Sequence, residues 1–456
     1  EASVRALQAG TDMDMVSCGF LNTLEESLKE GKVTEEQINA ACRRVLEAKY
    51  KLGLFSDPYK YCDTLRVEKE LYTTAHRAVA REIAAETFVL LKNEDHLLPL
   101  ERKGKIALIG PMADARNNMC GMWSMTCTPS CHGTLLEGIR SAAGDKAEIL
   151  YARGSNIYHD AELEKGGAGI RPLERGNELQ LLDEALHTAA RADVIVAALG
   201  ECAEMSGESA SRTELGIPDA QQDLLKALVK TGKPVVLLLF TGRPLVLNWE
   251  DANVHSILNV WFGGSETGDA IADVLFGKVT PGGKLTTTFP RSVGQLPLYY
   301  NHLNTGRPDP DSHSFNRYSS NYLDMSNEPL YPFGYGLSYT NFSYGNLQLS
   351  SDVLSRNGEL TVSVTVTNDG DFDGYEIVQM YLHDIYAEIS RPVKELKGFE
   401  RIFLKKGESR EVKFVITEDD LRFYNSGLQY VYEPGEFDVM VGANSRDVQT
   451  ERFRAD

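Results

Sequence analysis

The spacing of apolar residues divides the chain into regions of different periodicity. Over residues 21–54 apolar residues recur at helical spacing, and Gly31 and Gly53 end the two predicted helices. Over residues 101–290 short apolar runs alternate with helical stretches. Beyond Phe342 apolar and polar residues alternate in one short segment after another. The sequence therefore predicts helices first, then a mixed α/β region, then an all-β region.

The middle region predicts a mainly parallel sheet. Its apolar runs are KIALIGP, ADVIVAALGE, KPVVLLLFTGRP and HSILNVWFGG, and amphipathic helical stretches lie between them. Strands that alternate with helices are typical of a parallel sheet with helices on both faces. Ligands of such sheets meet the loops that leave the carboxyl ends of the strands. We therefore expect chemistry in the loops after Gly110 and Gly200.

The last region predicts a β-sandwich of immunoglobulin-like topology. It contains the alternating segments LTVSVTVTNDG, YEIVQMYLHD, SREVKFVIT and GEFDVMVGA, with turn residues between them. About seven short strands in about 115 residues fit such a sandwich. The preceding stretch, residues 291–340, is rich in Pro, Tyr, Asn and Gly and has no sustained period. We expect it to be an ordered connector.

Length and charge exclude some partners. A chain of 456 residues is too long for one ordinary core. The net charge of −19 comes without any basic face, so nucleic acid is an unfavourable partner. The longest apolar run, Val235 to Phe240, is too short to span a bilayer. We expect a globular protein of several domains that binds neither nucleic acid nor a membrane.

Three of the seven cysteines cluster with a histidine: Cys120, Cys127 and Cys131 precede His132. The spacing C-x6-C-x3-C-H lacks the close C-x2-C pair of structural zinc sites. An odd number of cysteines does not form a complete disulfide framework. We therefore expect no metal here, and either free thiols or one local disulfide in an oxidising compartment.

One polar loop carries candidate catalytic groups. It follows the strand ADVIVAALG and contains Glu201, Glu204 and Glu208. Clustered carboxylates repel one another, and one of them can have a pKa high enough to act as a general acid near neutral pH. The alternative is a solvated surface loop without a catalytic role.

Consecutive blocks of the chain resemble one enzyme family. In chain order the blocks are AGTDMDM, KLGLFSDPY, ETFVLLKNEDHLLPL, IALIGPMAD, GESASRTELGIP, GKPVVLLLFTGRPL, WFGGSETGDAIADVLFG, PGGKLTTTFPRSVGQLP, YPFGYGLSYTNF and RPVKELKGFERIFLKKGE. They cover essentially the whole chain and resemble the β-glucosidases of glycoside hydrolase family 3, in particular the bacterial periplasmic β-glucosidase type.

The resemblance implies a domain order. Such enzymes have a (β/α)8 barrel, then an α/β sandwich, then a fibronectin type III-like β-sandwich. The expected divisions are 1–60 as the end of the barrel, 61–100 as a linker with a lead-in helix, 101–290 as the α/β sandwich, 291–340 as the connector and 341–456 as the fibronectin type III-like domain.

The resemblance also implies a catalytic role for Glu208. The acid/base glutamate of the family falls on Glu208, in the stretch that continues with Ser211 and Arg212. The family nucleophile is an Asp in a Ser-Asp-Trp or Ser-Asp-His motif shortly upstream of the AGTDMDM block, and neither motif occurs in this sequence. We expect residue 1 to follow the nucleophile, the missing partner to be the N-terminal barrel segment, and the chain alone to be inactive.

Five further residues have expected roles in binding or in packing. Trp123 resembles a family position that flanks the outer sugar subsite, although a loop Trp is often only a packing anchor. Arg212 is expected at the substrate site, where it would orient Glu208 or hold the loop by a bidentate pair, and the alternative is an ordinary surface ion pair. Trp261 follows a buried strand and is expected in the core. Asp12 and Asp14 are expected to make structural hydrogen bonds.

The predicted function is the retaining hydrolysis of terminal, non-reducing β-D-glucosyl residues from a β-glucoside or oligosaccharide. No cofactor is expected. A β-xylosidase of the same family and a non-catalytic carbohydrate-binding or assembly module are the alternatives.

The opening segment EASVRALQAG has no signal-peptide pattern, so a periplasmic or secreted location rests on the resemblance. The sequence does not fix the oligomeric state, and a homo-oligomer remains open.

Overall fold

The computed structural model describes residues 1–124, 127–168, 174–309 and 315–456, with the backbone alone for residues 166–168. Within these residues the chain divides into two compact units, Glu1–Thr73 and Thr74–Asp456. The larger unit contains both the mixed α/β region and the all-β region.

The first unit is helical. Its helices are α1 (Ala2–Gln8), α2 (Gly19–Lys29), α3 (Glu35–Lys51) and α4 (Arg66–Glu70). Helix α3 begins at a capping box, because the Thr34 hydroxyl accepts from the backbone N–H of Gln37 and the Gln37 side chain accepts from that of Thr34. A small core packs the unit, formed by Val4, Leu7, Val33 and Ala41.

The second unit opens with α5 and a six-stranded sheet, counted over the described residues. Its helices are α5 (Thr74–Thr87), α6 (Leu135–Ala143), α7 (Ala161–Ala168), α8 (Glu178–Ala190), α9 (Asp219–Val229), α10 (Asn248–Asn253) and α11 (Thr267–Leu275). Its strands are β1 (Val89–Asn93), β2 (Lys105–Ile109), β3 (Glu148–Ala152), β4 (Val194–Gly200), β5 (Val235–Phe240) and β6 (Ser256–Asn259). The strand order is β1-β6-β5-β4-β2-β3.

The sheet is mainly parallel, as the sequence predicts. Strands β2 to β6 pair in parallel, and β1 pairs with β6 in the antiparallel direction. Both faces are covered by apolar side chains. Along β4, Val196 and Ala198 belong to one core, whereas Ile195, Ala197 and Leu199 belong to the other. A strand buried on both faces explains why these segments read as continuous apolar runs.

Different helices cover the two faces. The first core contains residues of α5, α6 and α11, and the second contains residues of α8 and α9. Helices α6 and α11 approach each other through glycines. A Cβ atom added to Gly138 would lie 2.5 Å from the backbone of Gly268, and one added to Gly268 would lie 2.4 Å from the carbonyl oxygen of Thr134. Only a residue without a side chain allows this helix contact.

The C-terminal region is built from antiparallel strands and one short helix. These are β7 (Phe342–Tyr344), β8 (Gln348–Leu349), β9 (Val353–Leu354), β10 (Leu360–Asn368), β11 (Gly374–Asp384), β12 (Glu395–Leu404), β13 (Ser409–Ile416), α12 (Glu418–Leu421), β14 (Phe423–Tyr424), β15 (Tyr430–Val431), β16 (Gly435–Gly442) and β17 (Val448–Ala455). The larger sheets have the orders β13-β10-β7 and β12-β11-β16-β17-β9, the last pair being parallel. Alternate residues of both sheets share one core, including Val362, Val364, Val378, Met380 and Val439.

Tyrosines attach the connector to the α/β region. The Tyr335 hydroxyl donates to the carbonyl of Leu91 at 3.1 Å, and the Tyr339 hydroxyl donates to the carbonyl of Val274 at 2.8 Å. Tyr339 is buried, and burial raises the pKa of its phenol. These two tyrosines therefore hold the end of this stretch against the α/β region, because they bury their rings and satisfy their hydroxyl groups.

Gly138→Ala tests the contact between α6 and α11. The added methyl group meets backbone atoms of Gly268 that no side-chain rotation can move, so we expect a loss of about 1–3 kcal/mol of stability despite the better helix propensity of alanine. Calorimetry should show a lower unfolding temperature for Gly138→Ala. The control is Gly306→Ala, where the new Cβ has open space around it. Equal unfolding temperatures in both variants would show that the helices separate without cost.

Candidate active site

Two loops leave the sheet side by side, at the carboxyl ends of its parallel strands. Strands β2 and β4 are neighbouring parallel strands, so the loops that follow them start at the same end. A Cβ atom at Gly200 would lie 2.0 Å from the carbonyl oxygen of Phe240. Only glycine therefore fits at the position where the chain turns away from β4. The buried Asn118 of the first loop accepts from the backbone N–H of Ala203 in the second at 2.8 Å. The two loops are thus fixed against each other.

Gln221 holds the start of the second loop. This buried side chain of α9 accepts from the backbone N–H of Gly200 and donates to its carbonyl, both at 2.9 Å. The Gln221 amide thus satisfies both backbone polar groups of Gly200, the last residue of β4. The position at which Glu201 leaves the sheet is therefore set.

Glu201 is a buried anchor and not an exposed catalytic group. Its side chain is fully buried, and Oε1 accepts from Arg212 at 2.8 Å. Arg243 Nε lies 3.0 Å from the same oxygen, at an angle that does not make a hydrogen bond. The second oxygen accepts from the Thr241 hydroxyl at 2.8 Å and from the backbone N–H of Gly242 at 3.1 Å. A buried carboxylate is tolerated because these groups surround it.

The two arginines tie the loop to this carboxylate. Arg212 also donates to the carbonyl of Gly216 at 3.0 Å. Arg243 donates to the carbonyls of Met205 and Ala210, the latter at 2.7 Å. Arg212 thus ties this loop to the buried Glu201 through one N–H group, and not through the expected bidentate pair. Its expected contact with substrate stays a prediction.

Glu208 lies exposed at the tip of the segment that Arg243 holds. Among the described residues it has no hydrogen-bond or ion-pair partner. The preceding Gly207 has a φ of 146° and the following Ser209 a φ of 60°, which is rare for a residue with a side chain. Such backbone outliers cluster at functional sites, where the surrounding structure maintains them. The loop therefore presents the Glu208 carboxyl group to solvent at a fixed turn.

Trp123 lies beside this turn. Its side chain is 71% exposed, although burial would be the usual outcome for so large a ring. A Cβ atom at Gly207 would lie 2.8 Å from Met122 Cγ and 3.7 Å from Trp123 Nε1. The residue directly before Glu208 therefore passes against the side chains of Met122 and Trp123. The structure brings Glu208 and Trp123, two of the predicted site residues, to one edge of the sheet.

Cys120, Cys127 and His132 form a cluster in the first loop, the one that follows β2 and also carries Trp123 (the Trp123 loop). Cys120 and Cys127 form a disulfide, one of the two alternatives that the sequence leaves open. His132 is buried, and its Nε2 lies 3.8 Å from Cys120 Sγ. Burial lowers the pKa of the His132 imidazole. Cys202, buried at the base of the second loop, has its pKa raised to about 12, mainly by burial and then by Glu204.

The aspartates of the first unit make the structural hydrogen bonds expected of them. Asp12 accepts from Arg44 Nε at 2.7 Å, and this hydrogen bond lowers the pKa of Asp12. Asp14 accepts from the Ser17 hydroxyl at 2.7 Å and from the backbone N–H of Phe20 at 3.1 Å. The hydrogen bond from Ser17 is the largest cause of the lowered pKa of Asp14. Asp14 is thus held within its own turn, whereas Asp12 is held by an arginine of helix α3.

The structure also decides the expectation for Trp261 and gives His159 partners that the sequence does not predict. Trp261 packs against the second core and against Phe289, with ring centroids 6.2 Å apart, so the core prediction holds. His159 has partners that sequence reasoning missed: Nδ1 lies 3.0 Å from Glu178 and Nε2 lies 3.3 Å from Asp223. These carboxylates come from α8 and α9, whose separation along the chain hides the contact. Their hydrogen bonds outweigh burial, and the pKa of His159 is raised.

Comparison with known proteins gives the class. Residues 88–339 match the glycosyl hydrolase family 3 C-terminal domain, and residues 376–445 match a fibronectin type III-like domain. The chain belongs to glycosyl hydrolase family 3. Its α/β region is thus followed by a fibronectin type III-like β region.

Three individual proteins show how similar the chain is to known glycosidases. A periplasmic beta-glucosidase of Salmonella typhimurium is 47% identical over 99% of this chain and 60% of that protein. A beta-xylosidase of Formosa agariphila is 38% identical over 98% of this chain and 60% of that protein. The crystal structure of a beta-glucosidase from Listeria innocua in complex with isofagomine matches with a TM-score of 0.87 at 37% identity, covering 100% of this chain and 60% of that one. The chain spans about 60% of the length of these relatives.

No helix in the described part of the chain has the length and apolar character needed to span a bilayer.

Glu201→Ala tests the anchor of the second loop. Removing the carboxylate leaves Arg212 and Arg243 partly buried without their counter-charge, and we expect a loss of about 3–5 kcal/mol of stability. Thermal unfolding and limited proteolysis within residues 201–218 should both report it. The control is Asp371→Ala, which breaks an exposed ion pair with Lys406 and should change stability by less than about 1 kcal/mol. An unchanged cleavage pattern in Glu201→Ala would contradict the anchoring role.

Proposed function

We propose that this chain carries the general acid/base of a retaining glycoside hydrolase that releases terminal, non-reducing β-D-glucosyl residues. One observation carries the proposal: Glu208 is an exposed carboxyl group, held at a fixed turn where a parallel sheet opens, beside an exposed Trp123. The similarity to proteins named beta-glucosidase supports the substrate class.

The chemistry assigns one function to Glu208. A retaining glycosidase uses two carboxyl groups about 5–5.5 Å apart. One attacks the anomeric carbon, while the other protonates the leaving oxygen and later removes a proton from water. Glu208 would be the second group, because it has no counter-charge holding it among the described residues and is accessible to a sugar.

The nucleophile is the complementary part of the proposal. We place it on an Asp outside residues 1–456, because the family motif Ser-Asp-Trp or Ser-Asp-His does not occur in this sequence. The relatives are longer than this chain, which leaves room for a barrel segment that supplies it. A covalent glycosyl intermediate requires that carboxylate, so Glu208 alone would not turn over a glucoside.

Trp123 would bind the sugar on the leaving-group side. Pyranose rings present apolar C–H groups that pack on an aromatic face, and an exposed indole offers such a face. The 3.7 Å between Trp123 Nε1 and a Cβ atom built on Gly207 supports this role, because Gly207 directly precedes Glu208. Arg212 would add a polar contact through N–H groups beyond those that bind Glu201 and Gly216.

The proposed architecture follows the family resemblance. Residues 1–60 would end a (β/α)8 barrel, residues 61–100 link it to an α/β sandwich at 101–290, and the connector at 291–340 leads to the fibronectin type III-like domain at 341–456. A periplasmic or secreted location is proposed from the similarity to a protein named periplasmic beta-glucosidase. The similarity to a protein named beta-xylosidase makes β-xyloside hydrolysis the second candidate, which relative rates on aryl β-glucoside and β-xyloside would decide.

Glu208→Ala tests the acid role, in the protein that contains this chain together with its barrel segment. We expect kcat/KM for a natural disaccharide to fall by about 10²- to 10⁴-fold, whereas kcat/KM for a dinitrophenyl β-glucoside changes little because its leaving group needs no proton. Azide, a nucleophile that needs no general base, should restore turnover of the activated substrate. Glu214→Ala, an exposed glutamate of the same loop, is the control. Equal losses on both substrates would remove Glu208 from the acid role.

Trp123→Ala tests the sugar subsite in the same protein. We expect KM for a disaccharide to rise about tenfold, which corresponds to about 1.4 kcal/mol of lost binding free energy. The burial of about 50–60 Å² of apolar sugar and ring surface would supply that amount. The change should be smaller for a substrate whose leaving group is not a sugar. Tyr386→Ala removes another exposed ring, 80% accessible in the fibronectin type III-like region, and should leave KM unchanged. An unchanged KM in Trp123→Ala would make the ring a packing anchor only.

A further inference from the structure

Three ligand atoms that suit a thiophilic cation meet at the base of the Trp123 loop. The Sγ atoms of Cys120 and Cys127 and the ring nitrogen of His132 all lie within 4.8 Å of one another. The distance from Cys120 Sγ to His132 Nε2 is 3.8 Å. Two ligands about 2.1–2.3 Å from a tetrahedral zinc ion stand about 3.5–3.8 Å apart, so this separation already matches a shared cation.

The orientation of His132 favours coordination through Nε2. Its Nδ1 lies 3.3 Å from the carbonyl oxygen of Gly133, which can only accept a hydrogen bond. Nδ1 therefore carries the proton in the neutral ring, and the lone pair of Nε2 faces Cys120. Metal-bound histidines commonly have their other nitrogen fixed by a carbonyl in this way.

The backbone of the cluster is also held in place. His132 is only 5% exposed, and its carbonyl accepts from the Arg116 guanidinium, which also pairs with Glu137 at 2.5 Å. The neighbouring Cys131 carbonyl accepts from Arg77. The ring would therefore not need to reorganise to bind a cation.

Although the cysteine spacing does not predict a metal site, we propose that Cys120, Cys127 and His132 form a redox-gated site for a thiophilic divalent cation of the zinc class. In the oxidised protein the two sulfurs are joined to each other. A dithiol reductant supplies two electrons and two protons, becomes a disulfide itself and leaves two thiols on the protein. Both thiols lose their protons when the cation binds, and two thiolates with one imidazole are a ligand set that zinc prefers. A water molecule would complete the tetrahedron.

The disulfide and the cation would be alternative links between Cys120 and Cys127. Both join Cys120 to Cys127, and Trp123 lies between these two residues in the sequence. The proposal does not depend on the catalytic role of Glu208.

Cobalt(II) is the spectroscopic probe, applied to the full chain after reduction with a phosphine under anaerobic conditions. We expect one Co²⁺ per reduced chain, with a thiolate-to-cobalt charge-transfer absorption that Zn²⁺ abolishes. The chain with its disulfide intact should show no such absorption. Cys127→Ser and His132→Ala should each weaken binding at least about tenfold.

Matched variants distinguish this site from other thiols. Cys131→Ser, adjacent in sequence, and Cys42→Ser, an exposed cysteine of the first unit, should bind Co²⁺ as the unaltered chain does. Circular dichroism checks that each variant is folded, and Cys127→Ser decides the question if His132→Ala does not fold. The proposal is overturned if the reduced chain binds no Co²⁺, if binding survives in folded Cys127→Ser, or if Cys131→Ser abolishes it.

Discussion

The candidate site depends on one buried carboxylate. Glu201 lies at the point where the second loop leaves the sheet, and its two oxygens hold Arg212, Thr241 and the backbone of Gly242. Arg243, beside the same carboxylate, extends this network to the segment that carries Glu208. A charge buried without such partners would cost several kcal/mol, so the arrangement persists only as a whole. The position of an exposed acid is thus determined by an ion that solvent does not reach.

The sheet could be predicted from the sequence because the apolar pattern that indicates each strand lies within that strand. Runs such as Val235–Phe240 are apolar throughout, and a strand covered on both faces leaves no other pattern. The loop could be located for the same reason, since it follows such a run at Gly200. The family resemblance then selected Glu208 among the three glutamates.

The roles within the loop could not be predicted from local pattern. Glu201 and Glu208 are the same residue type in the same polar stretch, yet one is fully buried and the other exposed. The difference arises from Thr241 and Arg243, which follow another strand and meet Glu201 only in the folded chain. His159 shows the same limitation, because its carboxylate partners lie on two separate helices. Contacts between distant segments leave no periodic signal for sequence reasoning to use.

The connector has a structural consequence for the boundaries of the α/β region. Strand β1 is at the edge of its sheet, and the backbone N–H of Leu337 donates to the carbonyl of Leu90 at 2.8 Å. Together with the Tyr335 hydroxyl on Leu91, this contact covers part of an edge that would otherwise be available to another chain. A protein cut at the end of the last apolar run would keep every strand of the sheet and still expose a surface prone to self-association. A shortened chain that keeps this part of the edge covered must therefore extend at least through Leu337, close to the end of the family-domain match at residue 339.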